Sequence, residues 1–491
     1  MKWICFFFLV FGMFQIATAD VGKDCRNLYR LTNLEYAVEP GRVIPARDNT
    51  PEHCRVRAVV NRAIQVEVRM PTGGWNGRFM FSTVGGAAGR IGDTQSLLGR
   101  GFAMASTDTG HEEGEGGDFS LQPEALLDFA YRGVHLATGF AKKTIQSFYA
   151  RDIDYSYLKG CSNGGRAAML EAIRFPNEYD GIIAGAPAFR FQEFMPWMLE
   201  VARKQEQHPL TEDALQVLDD ASRAACDDLD GVTDGVINDP RRCSSDVYDI
   251  DKLVCNVGQK DGCLTKGQIE TARFIYQDQL DSAGQVVSPG VLPGAEAAGD
   301  WAFWILPNDV FGDGENSLIS GMGESIKTYL RKNPDFDLAE FDTANDRALL
   351  DDMGSFMDVQ TADLTEFHEN GGKLLMYQGW NDWPLRPQRA LDYLARANLQ
   401  NGGPDKTADF FRLFMVPGMT HCARGPGAWI ADYVDPIVEW RENDKAPDLI
   451  IASHPGEGSS PTFTRPLCVY PKLLKYKGRG DSTKASSFEC R

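Results

Sequence analysis

Residues 154–165 read DYSYLKGCSNGG: a short apolar run ends on a serine held between glycines. Gly160, Ser162 and Gly164 form G-x-S-x-G, and GRAAMLEAIRF (165–175) continues with helical spacing. A strand, a sharp glycine-flanked turn and a helix would project the Ser162 hydroxyl above a sheet, ready to act as a nucleophile. Five residues alone are a weak signal, and the strand-to-helix context strengthens it. Working outward, DGIIAGAPA (180–188) reads as a buried strand, and NGRFMFSTVGGAAG (76–89) as a strand entering a glycine-rich loop. RGFAMASTDTGH (100–111) is a further strand, and the segment 123–149 opens with Pro123 and carries apolar residues at helical spacing. Alternating strands and helices predict a parallel α/β sheet.

The alternation stops from about Phe189 to about His368 and resumes with GGKLLMYQGWND (371–382), PQRALDYLARAN (387–398) and FFRLFMVPGMTHC (410–422). The interruption holds Cys226, Cys243, Cys255 and Cys263 and the aromatic clusters FRFQEFMPWM (189–198) and WAFW (301–304). It is expected to be an inserted domain whose aromatics mainly fill its own core, some facing a cleft. The expected organisation is a segment 1–19 to be removed, a catalytic domain from 20–188 and 369–491, and an insert over 189–368.

A serine nucleophile needs a base, and the base needs an acid to orient it. Four histidines follow Ser162: His208, His368, His421 and His454. Only His421 lies in a loop directly after a predicted strand, and Asp382 lies in the loop after the preceding one. Both would stand at carboxyl ends of strands, on the edge that carries Ser162. Asp351 and Asp352 are weaker candidates for the acid, because no strand precedes them. An oxyanion formed on attack needs backbone N–H donors. Asn163 is the first candidate, and Gly85 or Gly86 in TVGGAAG the second.

The chain of 491 residues has a net charge of −19, which disfavours nucleic acid or an anionic membrane as partner. MKWICFFFLVFGMFQIATAD has Lys2, a short apolar run and Ala17-Thr18-Ala19, the pattern of a cleaved signal peptide. Beyond residue 19 there are ten cysteines and no C-x-x-C pair, which suits disulfides in an exported chain rather than a zinc ribbon. No Asn-x-Ser/Thr sequon is present, which favours a bacterial periplasm or medium over a eukaryotic secretory route. ACDDLDGVTDGVINDPRRC (225–243) crowds Asp227, Asp230 and Asp234 around two Asp-Gly turns. Calcium uses such oxygen ligands, although the spacing is not that of an EF-hand, and a solvated acidic turn is the plainer reading.

Together STDTGH, DFAYRGVH, GCSNGGRAAMLEAIRFPNEYDGIIAGAPA, CDDLDGVTDGVI, GGKLLMYQGWND and VPGMTHC resemble, in order and over nearly all of the chain after residue 19, the tannase and feruloyl esterase family. That family of secreted α/β-hydrolases includes enzymes that hydrolyse mono(2-hydroxyethyl) terephthalate. The resemblance implies an α/β-hydrolase fold with a large inserted lid domain. It implies a disulfide between Cys161 and Cys422, beside the nucleophile and the base. It further implies the pairs Cys226–Cys243, Cys255–Cys263, Cys25–Cys54 and Cys468–Cys490. For the acidic loop it implies a structural calcium ion held by Asp227, Asp230 and Asp234 and by the carbonyls of Val232 and Val236. One departure is that Trp383, not proline, follows Asp382, with Pro384 next.

The expectation is therefore an exported serine esterase acting on small esters of aromatic acids: feruloyl, galloyl, terephthaloyl or benzoyl. A calcium-stabilised binding protein on an inactive hydrolase fold, or a serine peptidase on the same fold, is the alternative. No nucleic acid, and no membrane after cleavage, is expected as partner. The oligomeric state is not legible.

Overall fold

The computed structural model describes residues 20–308, 316–458 and 460–491. The expected signal segment, residues 1–19, lies outside the described residues. Four strands enter first: β1 (Tyr36–Val38), β2 (Arg42–Ile44), β3 (His53–Val60) and β4 (Ile64–Pro71). They are followed by β5 (Arg78–Ser82), β6 (Ala103–Thr107), β7 (Tyr155–Cys161) and β8 (Gly181–Gly185). A separate hairpin, β9 (Gln279–Leu280) with β10 (Val286–Ser288), precedes β11 (Lys373–Gly379) and β12 (Phe411–Val416).

Ten of these strands form one mixed sheet in the order β1-β3-β4-β6-β5-β7-β8-β11-β12, with β2 on β3. Neighbours from β6 through β5, β7, β8 and β11 to β12 run parallel. The antiparallel β1–β4 form its other flank, an addition to the parallel core expected from the sequence.

Side-chain alternation divides the sheet between two cores. Phe79, Phe81, Leu158, Ile182, Leu374 and Met376 pack on one face. Met80, Tyr157, Ile183, Leu375 and Phe414 pack on the other. Strands covered on both faces read as near-continuous apolar runs, which is why these segments carry so few polar residues.

The helix expected over 123–149 is interrupted by a π turn at Asp128–Arg132, between Pro123–Leu127 and Gly133–Tyr149. The carbonyls of Phe129 and Ala130 in this turn accept hydrogen bonds from the buried Arg166 guanidinium at 3.2 and 2.7 Å. Such a turn aims carbonyls sideways to a partner that a regular helix would deny them.

Between β8 and β11 the chain adds helices and the short β9–β10 hairpin. A third core joins Phe194, Trp197, Trp301, Leu350 and Met353 of this region to Phe119, to Phe129 of the π turn and to Trp383 of the loop after β11. The insert is thereby seated on the edge that carries the serine turn. The ten described cysteines form five disulfides: Cys25–Cys54, Cys161–Cys422, Cys226–Cys243, Cys255–Cys263 and Cys468–Cys490.

Candidate active site

Ser162 stands between the end of β7 and the helix Asn163–Arg174 with φ 64° and ψ −127°. A non-glycine residue there carries on the order of 1–3 kcal/mol of strain, which the surroundings must hold in place. They do so through the backbone. The Ser162 N–H donates to the Gly185 carbonyl at 3.0 Å, and its carbonyl accepts from Arg166 and Ala188 at 2.9 and 3.2 Å. The motif glycines answer a close approach. A Cβ on Gly164 would come within 2.8 Å of the Thr83 hydroxyl, and one on Gly160 would collide with the same atom.

Asp382 lies just past the end of β11 and His421 in the loop after β12. The His421 imidazole meets the Asp382 carboxylate, with Nδ1 2.9 Å from Oδ2. Asp382 is buried and accepts three hydrogen bonds among the described residues. The Gln378 amide supplies one at 2.9 Å and the Leu385 N–H another at 2.9 Å. A buried carboxylate so satisfied is a fixed acceptor that orients the ring. Burial alone would pull the His421 pKa down. The charge and hydrogen bond of Asp382, with the charge of Asp300, outweigh it and hold the pKa above the ordinary histidine value. The other ring nitrogen, Nε2, lies 3.7 Å from Cys422 Sγ, on the side of the disulfide that leads to Cys161 and Ser162.

The remaining histidines are occupied elsewhere. His208 pairs with Glu270 at 3.7 Å, His368 stacks on Phe410, and His454 contacts the Gly427 carbonyl at 2.7 Å. Asp351 pairs with Arg347 on the helix Arg347–Met357, which also carries Asp352.

Of the two glycines considered as oxyanion donors, Gly85 is the one against the serine. A Cβ there would sit 3.4 Å from Ser162 Cβ and 4.0 Å from its Oγ, whereas one on Gly86 would meet nothing within 4 Å. Asn163 opens the helix, so its N–H has no intrahelical acceptor. Its side chain accepts from Arg166 Nε at 2.7 Å.

Three residues at the site have no role legible in the sequence, although Arg166 and His111 lie within the stretches GCSNGGRAAM and STDTGH and only Asp300 lies outside any such stretch. Arg166, fully buried, joins Asn163, the π turn and the Met357 carbonyl of the insert. His111 contacts the Ala87 carbonyl of the glycine-rich loop at 2.6 Å. Asp300, from the insert, accepts the backbone N–H of His421 at 2.7 Å. Trp383, the departure after Asp382, is buried against Trp197, Trp301 and Trp304, ring centroids 4.9, 6.3 and 6.1 Å away. Proline could not fill that box.

The acidic loop Asp227–Val236 is folded on itself. Asp227 accepts from the Asp234 and Gly235 N–H groups at 3.3 and 2.8 Å, and Asp234 pairs with Arg465. Asp230 bonds the Val232 N–H at 3.0 Å through one oxygen, while its other oxygen is buried with no partner. Burial, opposed by the Val232 bond and reinforced by Asp234 and Asp227, pushes its pKa up to about 7. The carboxylates and the orphan oxygen fit calcium in chemistry. Among the described residues, however, no three His, Cys, Asp or Glu side chains converge into a metal-binding group.

A mostly parallel sheet with a serine turn after β7, an aspartate after β11 and a histidine after β12 defines an α/β-hydrolase. A model of "Tannase and feruloyl esterase" matches residues 50–491. A probable feruloyl esterase B-2 of Aspergillus fumigatus is 31% identical over 468 residues, covering 89% of this chain and 86% of its own. Two crystal structures from Aspergillus oryzae superimpose on the fold. An esterase does so with TM-score 0.87 and 27% identity, and feruloyl esterase B with TM-score 0.85 and 26% identity. Each alignment covers 96% of this chain and 100% of the other. The chain belongs to the tannase and feruloyl esterase family and is a carboxylic ester hydrolase.

Proposed function

We propose that the enzyme is an exported serine esterase that cleaves esters of aromatic acids through Ser162, His421 and Asp382. The observation that carries the reading is the Nδ1–Oδ2 hydrogen bond between His421 and Asp382, on a loop whose Cys422 is bonded to Cys161 beside the serine. His421 Nε2 takes the Ser162 hydroxyl proton as Oγ attacks the ester carbonyl. The proton then passes to the departing alkoxide, and an acyl-serine remains. Water, deprotonated by the same nitrogen, hydrolyses it and restores the serine. Asp382 keeps the proton on Nδ1 and stabilises the cation. The N–H groups of Asn163 and Gly85 would take up the charge on the oxyanion.

Ser162→Ala is expected to abolish hydrolysis of p-nitrophenyl acetate in a folded protein. Activity retained in that variant overturns the mechanism. For the acyl group, the relatives' names point to feruloyl esters. Rates on methyl ferulate, methyl gallate and a terephthalate monoester decide among them. Export is supported by the complete pairing of the ten described cysteines. N-terminal sequencing of the mature protein should begin at Asp20.

We also propose that the acidic loop holds a structural calcium ion through Asp227, Asp230 and Asp234 with the Val232 and Val236 carbonyls. The unpartnered Asp230 oxygen supports this. The ion would neutralise buried carboxylates of the insert rather than act on the reacting ester, so its removal should lower stability more than intrinsic activity.

A further inference from the structure

The insert reaches the acid–base pair through one carboxylate. Asp300 opens the short helix Asp300–Ile305 and is followed by Trp301, which packs in the aromatic box around Trp383. Asp300 Oδ2 accepts the His421 N–H at 2.7 Å, and the backbone N–H of Trp383 faces the same carboxylate and draws its pKa down. These are the backbone of the proposed base itself and of the residue next to the proposed acid. One insert side chain thus spans both loops.

We infer that Asp300 is a positioning residue for ester hydrolysis: it fixes the His421 loop against the Asp382 loop from the insert and adds a second negative charge beside the imidazole. The inference rests on the triad reading above. The charged groups acting on His421 are Asp382 and Asp300, and those acting on Asp300 are His421 and Asp382. Asp382 in turn acts on Arg386, whose guanidinium lies over Trp197. Two carboxylates around one imidazole favour its cation, the form His421 takes while the serine attacks. The Asp300 carboxyl itself is pushed up to about 6, by burial first, with His421 opposing and Asp382 adding to it. A charged Asp300 favours the His421 cation, and that cation in turn favours the charged form of Asp300.

The test is the pH profile of kcat/KM on p-nitrophenyl acetate. Asp300→Asn keeps an oxygen acceptor for both N–H groups and removes the charge. Its acid limb is expected to move down by about one pH unit, because the imidazole loses a stabilising charge. At neutral pH kcat should fall about tenfold with KM nearly unchanged. Asp300→Glu, which keeps the charge, should return the acid limb toward the wild-type position, and it provides the readout if the asparagine variant does not fold. An acid limb at the wild-type position in folded Asp300→Asn, or an Asp300→Glu limb moved down by a full unit, overturns the inference. The two readings fail separately. Activity surviving in Ser162→Ala removes the triad, whereas an unmoved limb with an inactive Ser162→Ala removes only the role of Asp300.

Discussion

Cys161 and Cys422 are 261 residues apart in the chain and are joined by a disulfide across a Cα separation of 6.1 Å. Ser162 follows the first and His421 precedes the second, so one covalent bridge ties the turn of the proposed nucleophile to the loop of the proposed base. Both Ser162 and Cys422 also hold positive φ, at 64° and 63°, conformations that need support from their surroundings.

Removing the bridge in Cys161→Ala/Cys422→Ala should lower kcat per folded molecule by about 100-fold, the scale of a misplacement near 1 Å. The check is a rate normalised to folded protein from an unfolding curve in the same buffer. Equal activity per folded molecule would make the bridge purely a matter of stability.

Asp382→Asn keeps the size of the side chain but lets it donate where the carboxylate only accepts. The Gln378 amide and the Leu385 N–H both donate to Asp382, as the histidine does. The variant should set the wrong imidazole tautomer, and kcat should fall on the order of a thousandfold or more while the fold is kept. Circular dichroism beside single-turnover kinetics checks both halves.

Gly85 and Gly86 should separate cleanly. Alanine at 85 puts a methyl 3.3 Å from the Cys161 carbonyl and 3.4 Å from Ser162 Cβ, so kcat should drop about tenfold with little change in melting temperature. Alanine at 86 meets no neighbour within 4 Å but must hold φ 62°, which costs about 1–2 kcal/mol of stability. Melting curves and kcat on the two variants distinguish the outcomes.

The acidic loop has a pH signature. Asp230 is raised from the ordinary aspartate value of 3.8 to about 7. The folded state therefore holds this proton more tightly than the unfolded chain does. Its stabilising effect is present below the unfolded pKa and is lost as pH rises through about 7. In a chelator, Asp230→Asn should flatten that decline in stability between about pH 4 and pH 7. Added calcium should raise the melting temperature of the parent protein near neutral pH and leave that of Asp230→Asn little changed. Melting temperature across pH, with and without calcium, is the measurement.

Much of the catalytic scaffold was legible because it is local. Apolar runs next to glycine-rich turns specify the strands β5, β7, β8, β11 and β12, and a serine turn or a loop residue at a strand end needs only its neighbours to be recognised. The antiparallel flank β1–β4 and the π turn at Asp128–Arg132 come into view only in the structure. The π turn has no signal in its own residues, because its partner Arg166 lies on another helix.

The sequence by itself determined the order of the parallel strands and the helices between them, the position of the serine turn, and the candidate acid and base at strand ends. These follow from hydrophobic periodicity and from the backbone freedom of glycine, which act over a few residues. Only the tertiary structure decided that Gly85 rather than Gly86 abuts Ser162, that Trp383 fills a box of insert tryptophans, and that Asp300 accepts the His421 N–H. A buried polar group is fixed by whichever partner satisfies it. For Asp300 that partner is more than a hundred residues away, so no local pattern could announce it.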